Sequence, residues 1–304
     1  MNLKTRPWRR KSGLLAVSCV IAAATTVFVA TQGSAAPAKA ARASSATASV
    51  TADLEATGGR RPTIVLVHGA WADASSWNPV IDRLQRAGYT VYAPPNPLRG
   101  VAHDAETLSD FLAAIPGPVV LVGHSYGGFV ITNAAVNAPN VKALVYDDAY
   151  IPDQGETVFQ INAAKPGSCV TAEPSTFLNL VPYPGAQNGD ADAYLKFAAN
   201  GDYKGFQDCF ANGVPARQAR LLAAGQRPFA VSAGSEPSGV PAWKTIPSWA
   251  VVGTQDHVIP PAELRSMAER ANARVTEVEA GHLSLITRPD VVADTVTAAA
   301  RAVG

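Results

Sequence analysis

Short apolar runs alternate with segments of helical spacing from Pro62 to the end of the chain, and this alternation is the feature that most restricts the possible folds. Runs rich in Val, Ile and Leu that end at Gly or Pro are typical of strands buried on both faces. Their alternation with helices predicts an α/β fold with a mostly parallel sheet of about six strands flanked by helices. The strands are expected at residues 63–69, 90–93, 119–122, 141–146, 248–252 and 274–278, and the helices at 77–87, 104–114, 127–138, 262–271 and 291–303.

Residues 152–243 break this alternation, because they contain many Pro, Gly and Asn and no clear buried strand. A structureless loop of this length is uncommon in a compact domain. We therefore interpret the segment as a cap inserted into a core that consists of residues 62–151 and 244–304.

The first 40 residues have the pattern of a secretory signal peptide. A basic stretch, residues 4–11, precedes an uncharged apolar run at 14–30, and Ala38-Lys39-Ala40 supplies a small-residue cleavage site. An uncleaved membrane anchor is the alternative, and Arg9-Arg10 leaves both twin-arginine and general export open. We expect a secreted protein whose residues 41–61, rich in Ala, Ser and Thr, form a flexible leader.

The net charge of the chain after residue 40 indicates which classes of partner to expect. Residues 1–40 hold six of the 25 Lys and Arg and none of the 24 Asp and Glu, which leaves the remainder with a formal charge of −5. No basic patch or Arg-rich arm remains, which argues against nucleic acid and against stable membrane association after signal removal. A small-molecule substrate is the expected partner, and no pattern indicates an oligomeric state.

The chain contains three cysteines. Cys19 lies in the apolar signal run, which lacks a convincing lipobox for lipid attachment. Cys169 and Cys209 are an even pair in an exported chain, which favours a disulfide that closes a loop of about 40 residues. Two buried free thiols are the alternative.

The segment VVLVGHSYGGFVITNAA places Ser125 on the turn between a predicted strand and a predicted helix. Gly123 and Gly127 flank this serine, and side chains at those positions would collide with neighbouring backbone. A strained turn of this kind pushes the serine hydroxyl out of the fold. The strand before and the helix after favour a nucleophile over an ordinary glycine turn.

A serine hydroxyl needs a base to become a nucleophile. His282, in AGHLSLITRPD, follows the last predicted strand and is expected at the same carboxyl edge of the sheet as Ser125. We expect it to be the base. Packing, loop or surface roles are expected for the other histidines, which are His68, His103, His124 and His257.

The third member of such a site is a carboxylate that orients the histidine. Asp256, in GTQDHVIPP, follows the predicted strand PSWAVVG and is our candidate. Asp147 and Asp148 follow the preceding strand and are the competitors.

Charge that develops on a carbonyl oxygen needs preorganised donors. We expect the backbone amides of Ala70 and Tyr126 to supply them, because both follow strand ends near Ser125. Trp71 is interpreted as a substrate-binding wall of the pocket, with plain core packing as the alternative.

The motifs VLVHGAW, GHSYGG, GTQDHVIPP and AGHLSLITRPD resemble the α/β-hydrolase superfamily from Pro62 to the end, and within it the small serine esterase and hydroxynitrile-lyase branch. The resemblance implies a Ser125, Asp256 and His282 triad, an oxyanion hole from Ala70 and Tyr126, and no cofactor. Lyases similar to this chain carry Thr where Gly69 stands and Lys where Leu283 stands, so both departures favour ester hydrolysis. Haloalkane dehalogenases, similar in fold, need Asp at the position of Ser125.

These features lead to the expectation of a serine hydrolase that cleaves small carboxylic esters through an acyl-enzyme. A ligand-binding module of the same fold with little catalysis is an alternative from another class. A lyase or a cofactor-free perhydrolase using the same triad is a second. The histidines lack metal-ligand spacing such as H-E-x-x-H, so no metal is expected.

Overall fold

The central sheet consists of six parallel strands. The structure is a computed structural model that describes residues 61–170, 177–196 and 204–304. The predicted signal peptide at 1–40, with Cys19, lies outside the described residues, as does the predicted leader except for Arg61. The strands are β1 (Thr63–Val67), β2 (Val91–Tyr92), β3 (Val119–His124), β4 (Val141–Asp147), β8 (Ser248–Gly253) and β9 (Arg274–Val278). Their order is β2-β1-β3-β4-β8-β9, and the predicted parallel sheet is confirmed.

Helices flank this sheet in groups that pack on one another. The flanking helices are α1 (Asn78–Arg86), α2 (Val101–Ala113), α3 (Gly127–Ala134), α8 (Pro261–Arg270), α9 (Ser284–Thr287) and α10 (Pro289–Val303). Helix α1 packs against α10, and α2 packs against α3. The predicted α/β-hydrolase architecture of the core is therefore present.

The middle of the sheet forms the core. Strand β3 is buried at every residue, and β1 and β4 at all but one each, Thr63 and Lys142. Parallel strands covered on both faces need apolar side chains in both directions, which explains their nearly continuous Val, Ile and Leu content.

The register of the strands brings their carboxyl ends to one edge. Val67 pairs with Gly123, and His124 pairs with Asp147. Asp147 in turn pairs with Val251, two residues before β8 ends at Gly253. The loops that follow β3, β8 and β9 therefore leave the sheet at the same edge.

Several element boundaries differ from those predicted. Strand β2 has two residues rather than four, and α3 ends at Ala134, where a 3₁₀ turn continues the chain to Asn137. Helix α2 begins at Val101, three residues earlier than predicted. The reason is a distant partner: the Glu236 carboxylate accepts hydrogen bonds from Val101 N at 2.7 Å and from Ala102 N at 3.0 Å, which satisfies amides that a helix start leaves free.

The segment between β4 and β8 carries its own small sheet. Strands β5, β6 and β7 pair antiparallel in that order, although the sequence shows no clear buried strand there. β5 is mostly exposed and β7 has only two residues, so neither makes a long apolar run. The elements are α4 (Val158–Ala164), β5 (Leu178–Val181), β6 (Asp192–Leu195), α5 (Lys204–Cys209), α6 (Ala216–Ala224), β7 (Phe229–Ala230) and α7 (Val231–Ser235).

One disulfide within this segment and ion pairs to the core stabilise its position. Cys169 and Cys209 form a disulfide. Arg99, from the loop before α2, binds Asp192 at the start of β6 at 2.6 Å. Arg270, at the end of α8, makes a two-pronged contact with Glu156 at 2.6 and 2.7 Å. No helix among the described residues is both long and apolar enough to cross a bilayer.

Candidate active site

Ser125 lies on a tight turn between β3 and α3 with a φ of 53°. A residue other than glycine in this left-handed region costs on the order of 1–3 kcal/mol, which neighbouring structure must hold in place. Gly127 permits the close packing that does so, because a Cβ there would lie 2.5 Å from the carbonyl oxygen of Val67. The turn therefore fixes the hydroxyl at the edge of the sheet.

His282 links two side chains that are far apart in the sequence. Its Nε2 lies 2.9 Å from Ser125 Oγ, and its Nδ1 lies 2.8 Å from Asp256 Oδ2. All three side chains are buried. The structure thus brings together the three residues that the sequence selected, in the order hydroxyl, imidazole, carboxyl.

Asp256 lies three residues after β8 and is held by the loop it belongs to. Its Oδ1 accepts hydrogen bonds from the amides of Val258 at 2.7 Å and Ile259 at 3.0 Å. These bonds leave Oδ2 to His282. A neutral imidazole that donates Nδ1–H to this oxygen presents the lone pair of Nε2 to the serine hydroxyl.

Burial sets the protonation of the pair. It lowers the pKa of His282 to about 3, so the imidazole is neutral at neutral pH. Burial also raises the pKa of the Asp256 carboxyl above its ordinary value, while the amides of Ile259 and Val258 oppose that shift. A neutral imidazole is the form that can accept a proton from Ser125.

The carboxyls of Asp147 and Asp148, the two competitors of Asp256, hydrogen-bond to groups other than His282. Asp147 Oδ1 accepts a hydrogen bond from Ser284 Oγ at 2.6 Å, and Asp148 Oδ1 accepts one from Gly253 N. Burial raises the pKa of both carboxyls well above the usual range, with further contributions from Asp148 for Asp147 and from Asp256 for Asp148. Within the described residues no cluster of three or more His, Cys, Asp or Glu is arranged to hold a metal ion.

The remaining histidines have other contacts. His124 Nε2–H donates to the carbonyl oxygen of His282 at 2.8 Å, and burial holds its pKa well below the usual range. His68 Nε2 accepts from the amide of Asn96 at 2.9 Å and so secures the loop after β2. His103 and His257 are exposed.

Two backbone amides at this edge have no acceptor in the part of the chain that the structure describes. Within the described residues neither Ala70 N nor Tyr126 N donates a hydrogen bond to the protein, and both residues line the same cavity as Ser125. The Tyr126 side chain is anchored by its hydroxyl, which donates to the buried Asp104 at 3.0 Å. The two predicted donors are thus available to a ligand atom beside the serine.

A cavity opens above Ser125 between the sheet edge and the inserted segment. Trp71 lies in its wall, with its Nε1–H bonded to Ala193 O at 3.1 Å and its ring edge-on to Phe210 and Phe229. The two interpretations of Trp71, pocket wall and packing, both describe part of its environment. The lining is largely apolar and includes six aromatic side chains among the described residues, namely Trp71, Tyr126, Tyr150, Phe159, Phe177 and Phe229.

The sequence did not single out the inserted residues that contact His282. The Phe210 ring lies 5.4 Å from the imidazole, and Asn212 Oδ1 accepts from His282 N at 3.4 Å. Asn212 Nδ2 also donates to Gln255 O, next to Asp256, at 2.6 Å. Their closeness to Cys209 in the chain was the available signal, since a disulfide also restrains the residues next to its cysteines.

The model of the Alpha/beta hydrolase family matches residues 64–295. The chain belongs to this family. Among curated relatives of this hydrolase, a carbendazim hydrolyzing esterase from Nocardioides sp. (strain SG-4G) is 37% identical over 110 residues, which are 32% of this chain and 46% of that protein. The match therefore spans about half the length of that relative.

A second relative and a solved structure cover more of the hydrolase. A pyrethroid hydrolase from Sphingobium wenxiniae (strain DSM 21828 / CGMCC 1.7748 / JZ-1) is 26% identical over 251 residues, 77% of this chain and 85% of that protein. The crystal structure of a pyrethroid hydrolase from Sphingobium faniae JZ-2 superposes with a TM-score of 0.61 at 22% identity and covers 79% of this chain and 98% of that one. The structural likeness shows the shared fold.

Proposed function

We propose that this protein is an exported serine hydrolase that cleaves carboxylic esters through a covalent acyl-enzyme. The observation that carries the proposal is the pair of contacts made by His282, 2.9 Å to Ser125 Oγ and 2.8 Å to Asp256 Oδ2. A neutral base that touches a serine hydroxyl on one side and an orienting carboxyl on the other is the arrangement that makes serine nucleophilic.

In the first step Ser125 Oγ attacks the ester carbonyl carbon while its proton passes to His282 Nε2. The carbonyl π electrons move to the oxygen, which the amides of Ala70 and Tyr126 stabilise. Asp256 Oδ2 holds the imidazolium that results. The intermediate then collapses, the bond to the alcohol oxygen breaks, and the alcohol leaves with the proton from His282.

In the second step a water molecule replaces the alcohol. His282 takes one proton from the water as its oxygen attacks the acyl carbon, and the same two amides bind the oxyanion. Collapse returns the proton to Ser125 Oγ and releases the carboxylic acid. Each group ends in its starting state, so the cycle repeats.

Two further observations support an ester substrate. Two relatives of the chain are named a carbendazim hydrolyzing esterase and a pyrethroid hydrolase. In addition, a Cβ at Gly69 would lie 2.6 Å from Ser125 Cβ, so this site has no room for the threonine that similar lyases carry. Hydrolysis is therefore favoured over cyanohydrin cleavage.

Covalent labelling tests the nucleophile. A fluorophosphonate probe should modify the wild-type protein, and digestion followed by mass spectrometry should place the adduct on Ser125. Ser125→Ala should abolish labelling, whereas Ser235→Ala, at an exposed serine of α7, should leave it intact. A folded wild-type protein that resists the probe and hydrolyses no p-nitrophenyl ester would support a ligand-binding module instead.

Export is tested on the full-length chain. The culture medium should contain a protein whose amino terminus lies near residue 41, after Ala38-Lys39-Ala40. Arg9→Lys with Arg10→Lys should block this export only if the twin-arginine route is used. A full-length protein held in the membrane would contradict the proposed secretion and support an anchor.

A further inference from the structure

The inserted helix α4 carries one polar side chain into the cavity, Asn162. Asn162 lines the cavity and is 3% exposed. The Tyr150 hydroxyl donates to its Oδ1 at 3.0 Å. Its Nδ2 has no acceptor within the described part of the chain, so both amide protons are available to a ligand.

The rest of the cavity wall offers a ligand little hydrogen bonding beyond the serine and the two amides described above. None of the described residues that line it carries a formal charge. The Tyr126 hydroxyl is bound to Asp104, the Trp71 indole to Ala193 O, and the Tyr150 hydroxyl to Asn162. Among the described residues that line the cavity, Asn162 Nδ2 is therefore an unused side-chain donor in a largely apolar wall.

The position of this donor is fixed relative to the nucleophile. Tyr150 N donates to Ser125 O at 3.2 Å, and the Tyr150 ring packs 5.6 Å from that of Phe129. Helix α4 begins with a capping box in which Thr157 and Gln160 bind each other's backbone amides. A preorganised donor of this kind discriminates strongly, because a ligand that has no acceptor but covers the buried Asn162 leaves the donor unpaired.

We infer that Asn162 is a specificity-determining residue for uncharged, largely apolar esters that carry a hydrogen-bond acceptor away from the scissile carbonyl. The inference rests on the proposed function, since it assigns the substrate class of the same site. The acceptor is a carbonyl or ether oxygen in either the acyl or the alcohol part, and Nδ2 donates to it. The aromatic walls bury the remainder of the ligand.

Matched substrates test this assignment. In the acyl arm, kcat/KM for p-nitrophenyl 5-oxohexanoate is divided by that for p-nitrophenyl hexanoate. In the alcohol arm, the value for 4-acetylbenzyl acetate is divided by that for benzyl acetate. Each ratio cancels general losses of activity and isolates recognition of the extra oxygen.

Asn162→Leu keeps the size of the side chain and removes the donor. We expect it to lower one of the two ratios by about tenfold relative to wild type, the usual scale of one buried hydrogen bond. The arm that responds identifies the part of the substrate that carries the acceptor. Asn179→Leu, the same change at an exposed position of β5 outside the cavity, should leave both ratios unchanged.

Tyr150→Phe provides a second variant that does not depend on the folding of Asn162→Leu. It keeps the ring and removes the hydroxyl that orients the amide, so the same ratio should fall by a smaller factor. An active enzyme whose ratios stay within twofold of wild type in both variants overturns the assignment and leaves the proposed function intact. A wild-type protein that neither reacts with fluorophosphonate nor hydrolyses any of the four esters overturns both.

Discussion

The amide of Cys169 donates a hydrogen bond to the carbonyl oxygen of His257 at 2.8 Å. His257 follows Asp256, and its own Nδ1–H donates to Asp208 O at 2.6 Å. Asp208 in turn precedes Cys209, the disulfide partner of Cys169. Both ends of the disulfide thus contact the loop that holds the carboxyl of the site.

Removal of this disulfide should destabilise the fold and loosen the Asp256 loop. The sequence separation of the two cysteines is 40 residues, and closing a loop of this length stabilises a protein by about 2–4 kcal/mol. The double variant Cys169→Ala with Cys209→Ala should therefore unfold on the order of 5–10 °C lower in differential scanning calorimetry. We expect kcat to fall as well, but by less than for the loss of His282.

A reducing agent supplies the control for that variant. Wild-type protein treated with dithiothreitol should approach the melting temperature of the double variant, whereas the variant itself should not respond. An unchanged melting temperature in the double variant would show that the bond contributes nothing to stability.

The acid limb of the pH profile should lie below the ordinary histidine range. Burial lowers the pKa of His282 to about 3, and only the neutral imidazole accepts the serine proton. A group with a depressed pKa keeps its neutral form as the pH falls through 6.5. For an uncharged ester, the decline in kcat/KM that comes from protonation of His282 should therefore lie below pH 6.5.

The pH at the midpoint of this acid limb shows whether burial or the Asp256 carboxylate has the larger effect on the pKa of His282. Burial also raises the pKa of the Asp256 carboxyl, 2.8 Å away, but wherever that carboxyl is ionised it acts against the burial of His282 by stabilising the imidazolium. Circular dichroism at each pH separates titration from unfolding. A midpoint at or above 6.5 in folded protein would show that the carboxylate outweighs burial.

Asp256, rather than Asp148, should govern catalysis. Asp256→Asn puts an amide donor or a weaker acceptor against His282 Nδ1 and favours the wrong tautomer, so kcat for a p-nitrophenyl ester should fall on the order of 10⁴-fold. Asp148→Asn retains an oxygen for Gly253 N and should cost less than about tenfold in kcat, since among the described residues it is Asp256, and not Asp148, that hydrogen-bonds to His282. A larger loss in Asp148→Asn than in Asp256→Asn would make the acid after β4 the functional partner, and equal losses would contradict a special role for Asp256.

The sequence predicted the sheet and the meeting of Ser125, Asp256 and His282 because both follow from local patterns. Buried parallel strands have a strong apolar signature, and residues that follow such strands meet at one edge whatever their separation in the chain. Position left Asp147 and Asp148 as competitors of Asp256, and the resemblance to the α/β-hydrolase superfamily favoured Asp256.

The inserted segment could not be predicted in the same way. β5 and β7 become strands by pairing with β6, not through a pattern of their own. Asn162 faces the cavity only because α4 is placed by contacts such as Tyr150, and nothing in its sequence neighbourhood indicates this. The long-range partner of α2, Glu236, is 135 residues away from Val101.

The hydrogen bonds that Glu236 accepts from Val101 N and Ala102 N allow a test of how much the inserted segment stabilises the core. Glu236→Ala removes both acceptors from the start of α2, and the loss of a helix cap typically costs about 0.5–2 kcal/mol. Glu236→Gln keeps one oxygen and should lose less. In urea denaturation the free energy of unfolding should be highest for wild type, lower for Glu236→Gln and lowest for Glu236→Ala. The m-values should be similar, because the surface exposed on unfolding changes little.

The amides of Val101 and Ala102 should also exchange with deuterium faster in Glu236→Ala than in wild type. Equal exchange in the two proteins would mean that α2 begins at Val101 without this carboxylate, and that its early start has a cause within its own residues.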